Sequence, residues 1–400
     1  MKALILHSHA VFISTHRSHL KVVDYINRTE TEFAPHEIPY DLIVIFNAGG
    51  NVSFEAVRWL SEHGVSIAHV NWDGKLIAQT LCPGPISGKL RLAQYRAYLD
   101  PKRRHEIASA FVETKVERSL DLLRFLRRFY PDVDVEAVLK ETGTKTTHRP
   151  GNIRASIMTR EARIAEAYWH EYAKVVNQLS PEFGFVSRQQ SGVGGHNMSA
   201  GDPTNASLNY LYGVLEATMR VAIQKAGLDQ DIGFLHEAQP GANPLVYDFM
   251  ELFRWVCDLT LIEMLQRKKL RIENFTVKTD YRRWLRTDSA SSLTQRLVEN
   301  LNRKVKSGAG EMQLGTLLDN QVRTLVRCIE SSSKGIAFIV PFSADVNYVD
   351  DAFKEKVLKL TPDERRLLGL RKNTIHYIKK NIAKNRPIRV YQKVRVKLLD

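Results

Sequence analysis

One segment constrains the fold of this chain more than any other, an apolar stretch from Leu245 to Val256 that carries two acidic side chains. Asn243-Pro244 precedes it and can cap and start a helix. The predicted helix is apolar nearly all round, so it must be buried. Asp248 and Glu251 are three residues apart and therefore share one face. Because an unpaired buried carboxylate is costly, both acids need a cation.

The cation can be a metal ion or a basic side chain. His236 lies twelve residues before Asp248, and a histidine with paired carboxylates suits a divalent metal that keeps an open coordination position. The alternative is that Arg254 or a lysine pairs with the acids, and that His236 is an ordinary core histidine. These residues alone leave both interpretations open.

Two other helical segments carry polar groups along a half-buried face. In residues 157–172, Glu161 shares a face with apolar residues and with Tyr168. In residues 202–216, Tyr212 projects a polar group from a helix that Asp202-Pro203 starts. A glutamate near a helix start is also explained by the helix dipole, and a tyrosine by core packing. Neither segment assigns a function by itself.

Turn residues and charge divide the chain into three parts. Residues 1–85 show short apolar runs between turns, which predicts an N-terminal β-rich domain that ends near Cys82-Pro83-Gly84-Pro85. Residues 86–342 are patterned as a large all-α domain, and residues 343–400 as a separate module. The fold class is therefore α+β. The main predicted helices of the large domain cover residues 157–178, 203–226, 244–267 and 312–331.

The C-terminal module is strongly basic. Residues 361–400 hold 12 Lys and Arg against 3 Asp and Glu, which is +9 of the chain's net +14. A first helix is expected over Ala352–Lys359. The capping box Thr361-Pro362-Asp363-Glu364 starts a second, short helix that Gly369 ends, and a third helix is expected over Asn373–Ala383. This pattern is typical of a helix-turn-helix that binds nucleic acid. A solvated basic tail or a charged hairpin packed on the main body is the alternative. A strand or wing is expected over Ile388–Leu398.

Several classes of protein are excluded. The three cysteines are far apart in sequence, which excludes a disulfide framework and a CxxC zinc site. No apolar run approaches the roughly 20 residues of a membrane span, and the N-terminus does not match a signal peptide, so a cytoplasmic protein is expected. Gly192-Val193-Gly194-Gly195 lacks the spacing of a dinucleotide-binding loop. His7, His9, His16 and His19 are expected to be surface and core residues of the β-rich domain, and not a metal site.

Four sequence blocks together resemble the CRISPR-associated spacer integrase, the universal adaptation nuclease of CRISPR systems. The resemblance covers roughly residues 1–342. It implies a β-rich N-terminal domain that mediates dimerisation and a helical domain with one metal site. The four blocks are NWDGKLIAQTLCP (71–83), the Glu161 helix with Tyr168-Trp169, DPTNASLNYLYGVLEA with GLDQDIGFLH (202–236), and LVYDFMELFR (245–254).

The resemblance also implies roles for individual residues. Glu161, His236 and Glu251 correspond to the metal ligands of the family, and Asp248 to an additional acidic residue of the active site. Tyr212 corresponds to a residue near the scissile DNA.

The sequence departs from the family pattern at one place, because Ala162 stands where a glycine usually follows the first catalytic glutamate. This leaves Glu166 as the other candidate. The seven-residue spacing from Glu161 to Tyr168 favours Glu161.

The C-terminal module extends the chain past the usual end of the family, and such an addition resembles the casposases, the integrases of self-synthesising transposons. This implies joining of DNA 3′-hydroxyl ends to target DNA by transesterification with Mn²⁺ or Mg²⁺. The implied partners are the DNA ends, the target duplex and further copies of the chain in a homodimer or higher homo-oligomer. No membrane partner is expected. A CRISPR adaptation integrase with a small partner protein is the alternative. A DNA-binding regulator without catalysis is disfavoured by the intact set of acids and histidine.

The third helix of the C-terminal module supplies the candidate DNA contacts. If it enters a major groove, residues at or near its N-terminus reach base edges, whereas later lysines reach phosphates. The expected base-edge contacts are Arg371, Lys372, Asn373, Thr374 and His376. The expected phosphate contacts are Lys379, Lys380 and Lys384.

Overall fold

The structure, a computed structural model, describes most of the chain in segments. No helix within these segments is both long and apolar enough to cross a membrane. The described residues are 2–7, 10–25, 28–46, 49–71, 74–82, 87–143, 153–188, 200–277, 283–307, 310–331, 335–344, 351–383, 394, 397 and 398.

The described residues of the N-terminal part are β-rich, as predicted, and form two four-stranded sheets and one helix. One sheet has the strand order β1-β5-β7-β8 and the other β4-β3-β2-β6. The helix is α1 (Phe54–Glu62), which Ser53 caps. The strands are β1 (Ala3–Leu6), β2 (Val11–His16), β3 (His19–Asp24), β4 (Thr29–Phe33), β5 (Leu42–Phe46), β6 (Gly50–Val52), β7 (Ser66–Val70) and β8 (Leu76–Thr80).

Strand β5 is buried along its whole length because both faces of its sheet are covered. Ile43 and Ile45 point into a core shared with the second sheet and α1. Leu42, Val44 and Phe46 alternate with them and point into the core of the helical part. The main hydrophobic core therefore runs across residue 85, and the boundary there stays a prediction.

The middle part of the chain is mainly helical, as predicted. Two short hairpins, which the sequence pattern did not indicate, are added to it. They are β9 (Phe275–Val277) with β10 (Arg283–Leu285), and β11 (Lys304–Ser307) with β12 (Gly310–Gln313). The helices are α2 (Gly88–Leu99), α3 (Pro101–Arg127), α4 (Val135–Gly143), α5 (Ile153–Leu179), α6 (Pro203–Ala226), α7 (Pro244–Glu251), α8 (Arg254–Gln266), α9 (Thr287–Leu301) and α10 (Leu314–Glu330).

Helix α6 has the predicted bounds and lies at the centre of the molecule. The Asp202 side chain accepts a hydrogen bond from the Asn205 N–H, and Gly227 ends the helix with a φ of 79°. The helix packs directly on the turn before β8, where a Cβ added at Gly213 would lie 1.7 Å from the carbonyl oxygen of Gly74. Two of the sequence blocks, 71–83 and 202–236, meet at this glycine contact.

The single helix predicted over 244–267 is wrong, because two helices, α7 and α8, occupy it. The last turn of α7 tightens, since the N–H groups of Leu252 and Phe253 bond the carbonyls three residues back. Phe253, with φ −124° and ψ 0°, precedes the first residue of α8. Neither proline nor glycine marks this break, and the apolar pattern continues through it.

The segment expected as a strand or extended run over 335–342 is extended and pairs with no strand among the described residues. Gln321 of α10 bonds both main-chain groups of Ile339. Phe338 and Val340 are buried in the main core. The segment is therefore part of the helical domain.

Three helices are described continuously in the C-terminal module, which has a small core of its own. They are α11 (Asp351–Lys359), α12 (Pro362–Leu367) and α13 (Lys372–Ala383). The predicted capping box is present, because Thr361 and Glu364 each accept from the other's main-chain N–H. The strand expected over 388–398 is wrong at its described residues 394, 397 and 398, which are helical. The helix-turn-helix function of this module stays a prediction.

Candidate active site

The two acids of α7 lie in the same helix but have different partners. Asp248 is completely buried and accepts from the main-chain N–H groups of Phe234, Leu235 and His236, at 2.5, 3.0 and 3.0 Å. Its Oδ1 also lies 2.8 Å from His236 Nδ1. The expectation that one cation serves both acids is not met here, since the Asp248 charge is compensated by main-chain dipoles and the imidazole.

Glu251, one turn further along, is held by two basic side chains. Arg254 Nη2 lies 3.2 Å from Glu251 Oε1, and Lys115 Nζ lies 2.7 Å from Glu251 Oε2. Burial would raise the pKa of this carboxyl, but Arg254, Lys115 and His236 together lower it to about 2. The pairing with basic side chains that the sequence left open as an alternative is therefore present at Glu251.

Lys115 of α3 joins Glu251 to the second acid, Glu161 of α5. Its Nζ lies 2.5 Å from Glu161 Oε1. The two lysine–carboxylate distances sum to 5.2 Å, so the two carboxylate oxygens are at most that far apart. The three side chains border a small cavity of about 40 Å³ between α3, α5 and α8. Glu166, the other candidate on α5, is exposed.

The contact with Asp248 orients the His236 ring so that its second nitrogen, Nε2, is available as a ligand. Nδ1 bonds Asp248, which leaves Nε2 as the nitrogen that can bind a metal or a proton. The ring is 31% exposed, whereas Asp248 is 0% exposed. Gly233 allows this arrangement, because a Cβ there would lie 2.7 Å from the main chain of Pro244 and 3.0 Å from Asp248 Oδ2.

No cluster of three metal-ligating side chains is assembled in the described segments. The residues present nevertheless fit a divalent cation. Lys115 already places a positive charge between one oxygen of Glu161 and one oxygen of Glu251, and carboxylate oxygens are the ligands that hard divalent cations prefer. A histidine backed by a carboxylate is the usual orientation of an imidazole ligand.

A buried tyrosine cluster, which the sequence pattern did not indicate, lies behind the acids. Tyr168 Oη and Tyr212 Oη donate to the two carboxylate oxygens of Asp258, at 2.7 and 2.8 Å. Burial raises the pKa of Asp258 to about 6, although both tyrosines and two arginines oppose the rise. The only sequence signal was an acid in the apolar helix 244–267, seven residues after Glu251.

Two arginines cover Tyr212, which is only 8% exposed. The guanidinium carbons of Arg254 and Arg188 lie 5.0 and 5.2 Å from the centre of its ring. Arg188 also bonds Asn205 and Asn209 on α6. Tyr212 is thus anchored in the core, and Arg254 connects it to Glu251.

The candidate DNA contacts of the C-terminal module are partly described. Lys379 is engaged within the module, because its Nζ lies 3.1 Å from the carbonyl oxygens of both Leu358 and Leu360. Lys384 lies outside the described residues. Thr374 is partly buried near the start of α13. The exposed candidates are Arg371, Lys372, Asn373, His376 and Lys380.

The N-terminal histidines fall in different environments. His7 stacks on Phe46 at 4.5 Å and lies 3.1 Å from Tyr210 Oη, and burial lowers its pKa to about 3. His16 and His19 face each other across the β2–β3 hairpin. His9 lies outside the described residues. That these four histidines bind no metal stays a prediction.

Comparison with known proteins gives the family. Residues 4–299 match the family model described as CRISPR associated protein Cas1. A CRISPR-associated endonuclease Cas1 of Pyrobaculum aerophilum is 31% identical over 250 residues, which covers 61% of this chain and 76% of that protein. One from Archaeoglobus fulgidus is 24% identical over 316 residues, or 75% of this chain and 90% of that protein. The chain belongs to the Cas1 family and is an enzyme of the nuclease or integrase class.

Solved structures agree in fold. A casposase bound to integration product superposes with a TM-score of 0.76 at 29% identity, over 90% of this chain and 99% of that chain. A Cas1 protein from Thermotoga maritima superposes with a TM-score of 0.67 at 16% identity, over 84% of this chain and 99% of that one. The second likeness supports the α+β fold alone.

Proposed function

We propose that this chain is a metal-dependent DNA integrase of the casposase type, which joins DNA 3′-hydroxyl ends to target DNA by transesterification and duplicates the target site. The observation that carries the proposal is the convergence of Glu161 and Glu251 on one positive charge, Lys115. Two acids from helices distant in sequence meet at a cation position. His236, close enough to Glu251 to lower its pKa, offers a free ring nitrogen.

Each residue of the site has a task in this proposal. Mn²⁺ or Mg²⁺ held by Glu161, His236 and Glu251 would supply positive charge for the phosphoryl and leaving oxygens. Asp248 holds the proton on His236 Nδ1 and fixes the plane of the ring, so that Nε2 keeps its lone pair. Arg254 restrains Glu251 from the opposite oxygen.

The C-terminal module favours the casposase type. The match to the casposase covers 90% of the 400 residues, which is 360, so at least 18 matched positions fall beyond residue 342. The Thermotoga maritima Cas1 protein covers 84% of this chain and a Cas6-RT-Cas1–Cas2 complex covers 86%, so the casposase match is about 16 to 24 residues longer. A basic module suits a protein that must bind its own DNA ends and a target.

The second candidate is a CRISPR adaptation integrase. It is favoured by the names of the relatives, which are CRISPR-associated endonucleases. A Cas6-RT-Cas1–Cas2 complex also matches 86% of this chain at 18% identity, with a TM-score of 0.68. This second function requires a small partner protein, whereas the casposase function requires only copies of this chain.

The remaining parts of the proposal concern organisation. Residues 1–85 would mediate dimerisation, residues 86–342 catalysis, and residues 343–400 DNA binding through α13. The protein would act in the cytoplasm on DNA ends and a target duplex, as a homodimer or a larger homo-oligomer.

The test is a strand-transfer assay with the purified full chain, a 3′-hydroxyl oligonucleotide and a supercoiled plasmid. We expect joined product with Mn²⁺ or Mg²⁺ and none after removal of the metal with EDTA. A 3′-dideoxy oligonucleotide is the matched control, because it lacks the attacking hydroxyl. Product that forms equally well with EDTA contradicts metal dependence. Joining that requires an added small partner protein and a repeat sequence supports the second candidate instead.

A further inference from the structure

The cation position between Glu161 and Glu251 is already filled by a side chain of the protein itself. Lys115 Nζ contacts one oxygen of each acid, at 2.5 and 2.7 Å. Both carboxylates also belong to the proposed metal set. An ammonium group and a divalent cation cannot occupy the same position between the same two oxygens, so binding of one excludes the other.

We propose that Lys115 is a positioning residue, an internal cation that holds the two carboxylates together in the metal-free protein and withdraws when a divalent cation binds. The inference rests on the proposed function, because it needs a metal-dependent site. It assigns a role in metal loading to α3, which lies outside the four sequence blocks that resemble the family.

The surroundings of Lys115 allow the withdrawal. Within the described part of the chain, its Nζ has no hydrogen-bond or ion-pair partner other than these two acids. Its side chain is 18% exposed and borders the small cavity together with Ser119. A lysine has a flexible four-carbon stem and one compact charge, so it can turn outward without moving the backbone.

Arg254 is the useful contrast, because it contacts the same acid and is fixed. It pairs with Glu251 Oε1 at 3.2 Å and lies over the Tyr212 ring at 5.0 Å. It touches neither Glu161 nor the oxygen that Lys115 binds, as far as the described contacts extend. Exchange with a metal therefore concerns Lys115 and leaves Arg254 in place.

In the metal-free protein, Lys115 offsets the repulsion between the two carboxylates. Two carboxylate oxygens at most 5.2 Å apart, one belonging to a buried side chain, repel each other without a cation between them. Lys115 keeps this geometry assembled. The cost is competition, because an incoming metal must displace the ammonium. Removal of Lys115 should therefore tighten metal binding.

The first test is Mn²⁺ affinity of the EDTA-treated full chain, measured from the loss of the electron paramagnetic resonance signal of free Mn²⁺. We expect Lys115→Met to bind Mn²⁺ at least about tenfold more tightly than the wild type. Lys174→Met is the matched control, because Lys174 pairs with buried Glu171 outside the site at 2.7 Å. Its affinity should equal that of the wild type. Unchanged or weaker binding by Lys115→Met overturns the inference.

The second test uses the wild type, so it holds even if Lys115→Met fails to fold. Acetylation by an N-hydroxysuccinimide ester is followed at each lysine by mass spectrometry, with and without saturating Mn²⁺. We expect acetylation of Lys115 to be several-fold faster in the presence of Mn²⁺ than in its absence. Acetylation of Lys174 should have the same rate under both conditions. Equal rates at Lys115 overturn the exchange. A wild type that binds neither Mn²⁺ nor Mg²⁺ contradicts the proposed function as well, whereas normal metal binding with an unreactive Lys115 contradicts only this inference.

Discussion

The two acids of α7 show two ways to keep a buried carboxylate. Asp248 is held by three main-chain N–H groups and a histidine, none of which can move without the loop before α7. Glu251 is held by Arg254 and Lys115, long side chains from α8 and α3. The His236 half of the site is therefore a fixed frame, and the Lys115 half is adjustable.

The largest effect is expected from the fixed frame. Asp248→Ala removes the acceptor of three main-chain N–H groups, two of them buried, so we expect the free energy of unfolding to fall by at least about 4 kcal/mol. Urea unfolding followed by circular dichroism measures it. Glu161→Gln, on the adjustable half, should cost no more than about 1 kcal/mol, because Lys115 keeps its pair with Glu251. Equal losses in the two variants would remove the distinction between the halves.

The second prediction concerns Asp258, whose pKa is about 6 in the folded protein against 3.8 as its ordinary value. Between these pH values the folded state keeps a proton that the unfolded state has lost. The stability contributed by this group is therefore full below about pH 4 and is lost as the pH rises through 6. The total is roughly 3 kcal/mol.

Asp258→Asn removes this titration. We expect the difference in free energy of unfolding between variant and wild type to shift in favour of the variant from pH 4 to pH 7, by up to roughly 3 kcal/mol. Urea unfolding at a series of pH values measures it. Parallel stability curves would contradict the raised pKa of Asp258.

The third prediction separates catalysis from folding in the adjustable half. Glu161→Gln should lower the rate of strand transfer at least about 100-fold, which is about 2.7 kcal/mol, while binding of DNA persists. His236→Ala, Glu251→Ala and Glu161→Ala should each abolish strand transfer. Glu166→Gln is the matched control, because Glu166 is exposed on the same helix and should leave the rate unchanged. If Glu166→Gln is inactive and Glu161→Gln active, the alignment with the family motif is shifted by five residues.

The smallest effects concern the same contrast in the C-terminal module. Lys380 is exposed, whereas Lys379 is bound to the carbonyl groups of Leu358 and Leu360. Lys380→Ala should reduce the slope of log affinity against log salt by about one, without loss of stability. Lys379→Ala should change this slope less and cost about 1 kcal/mol of stability. DNA-binding titrations at several salt concentrations measure both slopes, and a larger slope change for Lys379→Ala than for Lys380→Ala reverses the assignment.

Asn373→Ala should relax target preference.

Local sequence determined much of the fold. The bounds of α6 follow from Asp202-Pro203 and Gly227, and the start of α12 follows from its capping box, because caps and turns act within a few residues. Four strands of the β-rich domain, β1, β3, β5 and β7, follow from short apolar runs between turns, whereas the polar and mostly exposed strand β4 does not. The resemblance in four blocks groups Glu161, His236 and Glu251 from the sequence alone, and their metal-binding role stays a prediction.

Tertiary structure alone determined which groups neutralise each buried acid. Asp248 and Glu251 share one helix face in the sequence pattern, yet one meets a loop and the other meets α3 and α8. Lys115 lies 46 residues from Glu161 in the chain, and Tyr168 lies 90 residues from Asp258. Helical periodicity shows which residues are buried and on which face, but it carries no information about the residue on the facing helix. A buried charge takes its partner from whichever element packs against it, so the pairing is fixed only when the helices come together.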